Sequence, residues 1–248
     1  MAVVDRGLEY VGLEQVTGPL IFVEAVRDVG YGEVAEVVDA QGNRRLGTVL
    51  EVSDRRAVVQ VLEGTHGIAG SSTRVRFLGK PLRLPVSRAM LGRVFDGIGR
   101  PTDGGPMPLG GDDRDINGQP INPFSREYPR DFIQTGISVI DGMNTLVRGQ
   151  KLPIFSGNGL PHDRLAAQIT RQARLLDEDV QFAIVFGAMG VKHDVAHFFT
   201  RSFEESGVLG NVALFLSLAS APSIERLLTP RSAHTLAEHL AFDCGLHV

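Results

Sequence analysis

The residues with the clearest chemical signature lie between Lys151 and Ala173 (KLPIFSGNGLPHDRLAAQITRQA). Leu152 to Phe155 reads as a short apolar strand, Ser156 to Pro161 as a glycine loop, and a helix is predicted from about Asp163. Leu165, Ala166, Ile169, Ala173 and Leu176 recur at helical spacing and form its apolar face. Strand, glycine loop and helix start are the frame of a phosphate-binding loop, where backbone N–H groups and a helix N-terminus converge on an anion. That chemistry needs G-x-x-x-x-G-K-[ST]. Counted from Gly157, His162 stands at the second Gly, Asp163 at the Lys and Arg164 at the Ser/Thr. The candidate nucleotide site is therefore a degenerate remnant: Gly157, Asn158, Gly159, His162, Asp163 and Arg164. A carboxylate ~4 Å from a phosphate charge, at an effective dielectric of about 20, repels it by roughly 4 kcal/mol. Each ~1.4 kcal/mol is a factor of ten, so tight triphosphate binding in the usual pose is not expected. Arg164 could reach a phosphate, but its planar fork cannot replace a hydroxyl on Mg²⁺. A plain strand–turn–helix that uses glycine only for its turn fits the same residues.

Five other places could do chemistry. His193 and His197 in HDVAH stand one helical turn apart, as in the zinc motif H-E-x-x-H, but the base is shortened to Asp194 and no third ligand is identifiable. Two histidines on the polar face of a helix, with Val195, Phe198, Phe199 and Phe203 opposite, is the expectation. Cys244 lies in an apolar end with no partner His and Asn that the sequence can place, so a buried structural thiol is expected. His234 and His239 are five apart, a spacing that does not align two ligands on one helix face. Asp112 to Asp115 (DDRD) could form a metal loop, but lacks EF-hand spacing and reads as a solvated turn. Arg231, after Thr229-Pro230, suits a phosphate or subunit contact or simply an exposed helix start.

These residues need elements to position them. The chain has 248 residues, 43% hydrophobic and 22% charged, the balance of an ordinary globular protein with room for one large or two small domains. A net charge of −4 argues against nucleic acid as a partner. One cysteine excludes an internal disulfide framework and fits a reducing compartment. The first residues carry Asp5 and Glu9 with no apolar h-region, so no signal peptide is expected, and no apolar run nears the ~20 residues that span a bilayer. A cytoplasmic chain, peripheral to a membrane at most, is the expectation.

Residues 1–78 are predicted to hold a small β-barrel or sandwich. Ile21 to Val26, Glu33 to Val38, Leu46 to Val52 and Ala57 to Leu62 are valine-rich runs separated by short turns. Residues 79–131 read as a connector, since 13 of the 33 residues from Gly97 to Pro129 are Gly or Pro. Residues 132–248 alternate apolar strands (Gln181 to Gly187, Asn211 to Leu218) with helices (Val191 to Ser206, and one starting at Thr229 as N-cap with Pro230 in its first turn). Near-continuous apolar strands between amphipathic helices mean a parallel sheet covered on both faces.

The runs INPFSREYP (Ile121 to Pro129), FIQTGISVIDGMNTLVRGQKLPIF (Phe132 to Phe155) and SGNGLPH (Ser156 to His162) carry a specific resemblance. GRVFDGIGRP (Gly92 to Pro101) and FGAMGV (Phe186 to Val191) support it independently. From about Tyr10 onward the sequence resembles the B subunit of V/A-type rotary ATPases, the non-catalytic nucleotide-fold subunit of the soluble head. The resemblance implies an N-terminal β-barrel, a connector and a RecA-like domain. It also implies alternation with catalytic A subunits in a hexameric ring around a rotating stalk, in a complex that couples ATP to proton transport, with the membrane met only through that complex. Family B subunits carry Gly-Leu-Pro-His where catalytic ones carry Gly-Lys-Thr. Catalytic relatives place a general-base Glu five residues after the position of Gly187, and here that residue is Lys192.

On this reading the chain is not itself catalytic, has no cofactor of its own and no metal site, and binds ATP or ADP weakly at most. The alternative is an active NTPase with the same core: a catalytic rotary subunit, a secretion-system ATPase or a hexameric helicase. A stand-alone binding module built on the barrel is a third reading, against which the net charge speaks for nucleic acid. The family continues past Val248 into a strand with a Walker-B-like acid, an interface arginine and a helical C-terminal domain. The expectation is therefore an N-terminal portion whose sheet stops short, leaving Ile154, Phe155, Ile184, Val185, Leu214 and Leu216 poorly covered.

Overall fold

The computed structural model describes residues 8–118, 120–128, 130–175 and 181–248. Asp5, Pro129 and Leu176 lie outside the described residues. The chain divides into two compact units at Leu84/Pro85, with Ala221–Leu227 grouping with the first.

The first unit is a curled antiparallel sheet of seven strands: β1 (Glu9–Val11), β2 (Gln15–Thr17), β3 (Leu20–Glu24), β4 (Glu33–Val38), β5 (Arg44–Ser53), β6 (Arg56–Val61) and β7 (Arg74–Pro81), in the order β1-β7-β4-β5-β6-β3-β2. The strands at the two edges, β1 and β2, are separated in the chain by only three residues, so the edges lie side by side and the sheet curls into a barrel. At that corner Gly12 N donates to Thr73 O and Glu14 N to Phe22 O, both at 2.9 Å. The valine alternation does what its period dictates: every second residue of β6 is buried, and Ile21, Val23, Val37, Val49, Val59 and Val75 form the core with Phe77. Gly47 is there for closeness. A Cβ on it would stand 2.5 Å from Val59 Cγ1 and 3.1 Å from Gln60 O.

The second unit is built on a three-stranded parallel sheet of order β13-β14-β9, from β9 (Val94–Phe95), β13 (Ile184–Val191) and β14 (Val212–Leu218). It is completed by β8 (Arg83–Val86), which begins at the boundary and pairs with β10 (Asp112–Asp115), by β11 (Ile133–Gln134) on β12 (Arg174–Leu175), by helices α1 (Ser138–Met143), α2 (His162–Gln172) and α3 (His193–Glu205), and by the part of α4 (Ser223–Glu238) from Leu228 onward. Phe186 of β13 meets Phe199 and Phe203 of α3 at ring distances of 4.7 and 5.3 Å, and Val212 and Leu214 close the same core.

Several expectations are corrected. Leu152 to Phe155 forms no strand: among the described residues nothing pairs with its backbone, and Ile154 and Phe155 are 46% and 92% exposed. A parallel strand exists only where a neighbour takes its N–H and C=O groups, and the isolated bridge that precedes β13 joins Phe182 to His247 rather than to this segment. Leu214, expected to lose cover, is fully buried. On α2 the buried residues are Ala167 and Thr170, while Leu165, Ala166 and Ile169 are half-covered, as is Ala173 just beyond. Thr229-Pro230 does not start the last helix. That helix begins a full two turns earlier, and Pro230 sits inside it beside Thr229, which has no exposed surface. Packing of Leu228, Leu236 and Leu240 holds the helix across a residue that cannot donate an i→i−4 bond. Asp112 to Asp115 is a strand rather than a turn, and Val94–Phe95, inside the expected connector 79–131, is an edge strand of the α/β sheet. Phe198 stands 37% exposed, away from the face that buries Phe199 and Phe203.

Candidate functional site

The glycine loop leads from an extended, exposed segment into α2. Gly159 takes φ +84°, the left-handed region that glycine enters without a Cβ clash, and nothing lies within 4 Å of where a Cβ would sit. The loop then folds on itself: Leu160 N donates to Gly157 O at 3.3 Å and His162 N to Leu160 O at 2.9 Å. Two amides that an anion cradle would use are thereby committed to loop carbonyls. Pro161 caps α2 with no side-chain hydrogen bond, and Leu165 N closes onto Pro161 O at 3.1 Å. The acidic residue of the first turn is Asp163, which favours the helix through its dipole. Its carboxylate stands 3.6 Å from His162 Nε2. Gly157, Asn158, Gly159, His162 and Arg164 are exposed and Asp163 is half-covered, so the six residues singled out from sequence divide between an open surface loop and the first turn of α2.

Lys192 is the N-cap of α3, immediately past the carboxyl end of β13, and its carbonyl accepts from Ala196 N at 2.9 Å. In open parallel sheets that end is where ligands bind. His193 and His197 follow on the exposed face of the same helix, one turn apart, with Phe199 and Phe203 buried opposite. Among the described residues no third ligand joins them.

What anchors α2 lies at its far end. Asp141 accepts from Thr135 N (2.9 Å), Thr135 Oγ1 (2.6 Å) and Gly136 N (3.0 Å), and the Thr135 hydroxyl is the main reason its carboxyl sits below the usual carboxylate range. Gly136 takes φ +75° with Gln172 packed where its Cβ would be, so this clamp abuts the last turn of α2. A cleft of about 780 Å³ nearby is lined by Arg88, Arg171, Arg174 and Gln181 among others, and by no residue of the glycine loop. Its guanidinium groups are engaged: Arg171 with Ser202 Oγ (3.3 Å), Arg174 with Gln134 Oε1 (2.9 Å), Arg88 with Gln181 Oε1 (2.9 Å).

The profile of the ATP synthase alpha/beta family, nucleotide-binding domain, matches residues 136–248, and that of the same family's beta-barrel domain matches residues 13–79. The chain is 56% identical over 240 residues to the V-type ATP synthase beta chain of Halothermothrix orenii and 57% identical over 240 residues to the B subunit of the A-type ATP synthase of Aeropyrum pernix. Each comparison covers 97% of this chain and 52% of the relative. This chain belongs to the ATP synthase alpha/beta family, among the V/A-type B subunits. The B subunit of the A-type ATP synthase of Methanopyrus kandleri is 57% identical over 250 residues, covering 100% of this chain and 25% of that protein. The chain thus spans about half the length of the first two relatives.

The family frame agrees with the architecture: β-barrel first, nucleotide-binding α/β domain second. The glycine loop and Lys192 fall in the second. Sequence reasoning missed the Thr135–Asp141 clamp, whose signal is the T-G-x-x-x-x-D spacing. It also missed a cluster around His239, Asp243 and Cys244. There the thiol is half-buried and has a histidine neighbour, Sγ to His239 Nε2 being 3.6 Å, so the expectation of a partnerless core thiol is corrected. Arg231, placed in the body of α4, donates to Asn117 Oδ1 at 3.0 Å.

Proposed function

We propose that this chain serves as the B-type subunit in the head of a V/A-type rotary ATPase, alternating with catalytic A subunits around the stalk, and that it does not itself turn over nucleotide. The names of the relatives support the assembly. The single observation that carries the non-catalytic reading is the start of α2: Asp163 occupies the position of the phosphate lysine, and the amides of Leu160 and His162 are committed inside the loop. The ~4 kcal/mol repulsion expected at an effective dielectric of about 20 is an upper bound here, because the Asp163 side chain is 35% exposed and water screens it. Even a quarter of that lowers affinity about fivefold. Arg164, one residue on, supplies a charge but no hydroxyl for Mg²⁺, and Lys192 stands where a base would have to orient water. Any ATP or ADP bound is held weakly and without the usual Mg²⁺ site. No described helix is long and apolar enough to cross a membrane, which suits a subunit that meets the membrane only through its complex.

The test is phosphate release by the purified chain with ATP and Mg²⁺, beside titration with a fluorescent ATP analogue. No turnover above a blank is expected, and the double substitution Asp163→Lys, Arg164→Thr is expected to tighten nucleotide binding without creating hydrolysis. Mg²⁺-dependent turnover by the unmodified chain overturns the proposal.

A further inference from the structure

Outside the glycine loop, one cluster has the composition of a nucleophile with its base. Residues His239–Asp243 form a π-helical turn that continues α4, closed by Cys244 N donating to His239 O at 3.1 Å. In an α-helix, residues five apart point ~140° away from each other. The wider i→i+5 turn returns them to one side, which sets Cys244 Sγ 3.6 Å from His239 Nε2. The other ring nitrogen, Nδ1, is 2.9 Å from Asp243 Oδ2. A carboxylate only accepts, so Nδ1 carries the ring proton and Nε2 turns its lone pair to the thiol. The ring is held in place: its side chain is 10% exposed, and Asp112 Oδ2 of β10 stands 3.8 Å from the same Nδ1. Arg114 of β10 binds both carboxylates, at 2.9 Å from Asp243 and 3.4 Å from Asp112. That guanidinium already neutralises the space between them, which disfavours a metal ion there and leaves the imidazole free to serve sulfur.

We propose that Cys244 is a modification site, a base-assisted thiol that exchanges with a low-molecular-weight disulfide such as glutathione disulfide. Sγ attacks one sulfur of the disulfide as His239 Nε2 takes the thiol proton. The S–S bond breaks, its second half leaves as a thiolate, and that thiolate recovers the proton from His239. The products are the Cys244 mixed disulfide and one small thiol, with no other oxidant consumed. Asp243 is a positioning residue that fixes the tautomer, and Asp112 and Arg114 hold Asp243 and the ring in turn.

Cys244 is the only thiol in the sequence, so the rate reads this site alone. The full 248-residue chain is treated with glutathione disulfide, followed by mass, and with a chromogenic aromatic disulfide, followed by absorbance, with Cys244→Ser as blank. At pH ~7, His239→Asn is expected to slow the reaction about tenfold, under the ceiling of ~30 set by the few per cent of thiolate that an unaided thiol already carries, and Asp243→Asn to slow it less. At pH ~10 an ordinary thiol (pKa ~8.5) ionises unaided, so the three rates converge. Convergence distinguishes a base from a structural support, whose loss would show at both pH values. Equal rates of wild type and His239→Asn at pH ~7 overturn the proposal, as does a wild-type thiol that stays unmodified at pH ~10. Should His239→Asn not fold, the wild-type pH profile beside that of free glutathione decides. A profile lifted near neutrality supports the proposal, and one that tracks the free thiol throughout overturns it.

Discussion

In the barrel, β1 and β2 end the sheet order yet are joined by three residues, so the chain itself brings the two edges together. In the α/β unit, the sheet has three strands, and one of them, Val94–Phe95, is two residues long. The consequence is visible in what each unit leaves wet. The barrel encloses Ile21, Val49, Ala57, Val59 and Val75 completely. The α/β unit buries β14 on both faces, Leu214 in the cluster with Phe203 and Phe215 against Phe95, but between residues 139 and 160 leaves Val139, Met143, Ile154, Phe155 and Leu160 from 46% to 92% exposed. An antiparallel barrel can finish its own hydrogen bonding locally. A parallel sheet depends on strands delivered from far along the chain.

Two optical signals separate the units. Tyr10 packs edge-on to Phe77 at 5.6 Å and accepts from Arg27 N at 3.1 Å, whereas Tyr31 and Tyr128 are 82% and 91% exposed, so tyrosine fluorescence follows the barrel. Far-UV helicity follows α2, α3 and the greater part of α4, which belong to the α/β unit. The largest expected effect is Phe203→Ala. This ring is fully buried against Phe186 and Phe199, and its loss costs about 3–5 kcal/mol. In urea the helical transition is expected to collapse to low denaturant while the tyrosine transition stays put. A shift of both together breaks the comparison, because it means that the two cores melt as one.

Gly47→Ala is the mirror experiment, expected to cost about 1–3 kcal/mol by overpacking. Its new methyl meets Val59 Cγ1 at 2.5 Å, and Val59 is a stiff, fully buried β-branched residue with no free rotamer to take. Here the tyrosine transition moves and the helical one does not.

A smaller effect tests what braces the α/β unit. Arg93 grips Asp103 through both Nε and Nη2, and Asp103 also accepts from Val94 N (3.3 Å) and Gly105 N (3.0 Å). The Arg93 hydrogen bond is the main cause that holds the Asp103 carboxyl well below the usual carboxylate range. A carboxyl depressed on folding contributes stability above its unfolded pKa of ~3.9 and loses it as the pH falls below that value. Asp103→Asn should therefore lower the helical transition at pH 7 by on the order of 1 kcal/mol, given the partial exposure of the pair, and flatten its decline between about pH 5 and pH 2. An unchanged acid profile rules out Asp103 as the titrating brace.

The same contrast explains what could be read in advance. The barrel strands were legible because alternate Val and Ile residues on a two-sided sheet leave no other period, and α3 because Phe199 and Phe203 share a face. The Val94–Phe95 strand was not, being two residues inside the expected connector 79–131 whose only strand signal is its distant partner Leu214–Phe215. Pro230 was misleading because local preference puts proline in a first turn, and tertiary packing of Leu228 and Leu236 overrides it. The loop from Ser156 to Pro161 was legible as a turn before α2, but whether Leu152 to Phe155 precedes it as a strand depends on a neighbour no local pattern contains. Cys244 was read as a thiol with no histidine to place beside it, because only the π turn at His239–Asp243, which no local pattern announces, brings His239 round to the sulfur.

The smallest expected effect is the sharpest test of that missing strand. Phe155 is 92% exposed, and neither Ile154 nor Phe155 has a backbone partner among the described residues. Phe155→Ser in the isolated chain should therefore change neither transition by more than about 0.5 kcal/mol, the range of surface substitutions away from packed features. A Phe that enters a strand covered on both faces contributes about 1.5–3 kcal/mol, so the two outcomes are well separated. A drop of that size in the helical transition would mean that Leu152 to Phe155 docks as a strand and that the glycine loop is held from both ends, as a phosphate loop must be. The same substitution in an assembled head tells whether a partner covers the ring: silence alone and a marked loss of assembly together would make the exposed stretch from Val139 to Leu160 a contact surface rather than an unfinished core.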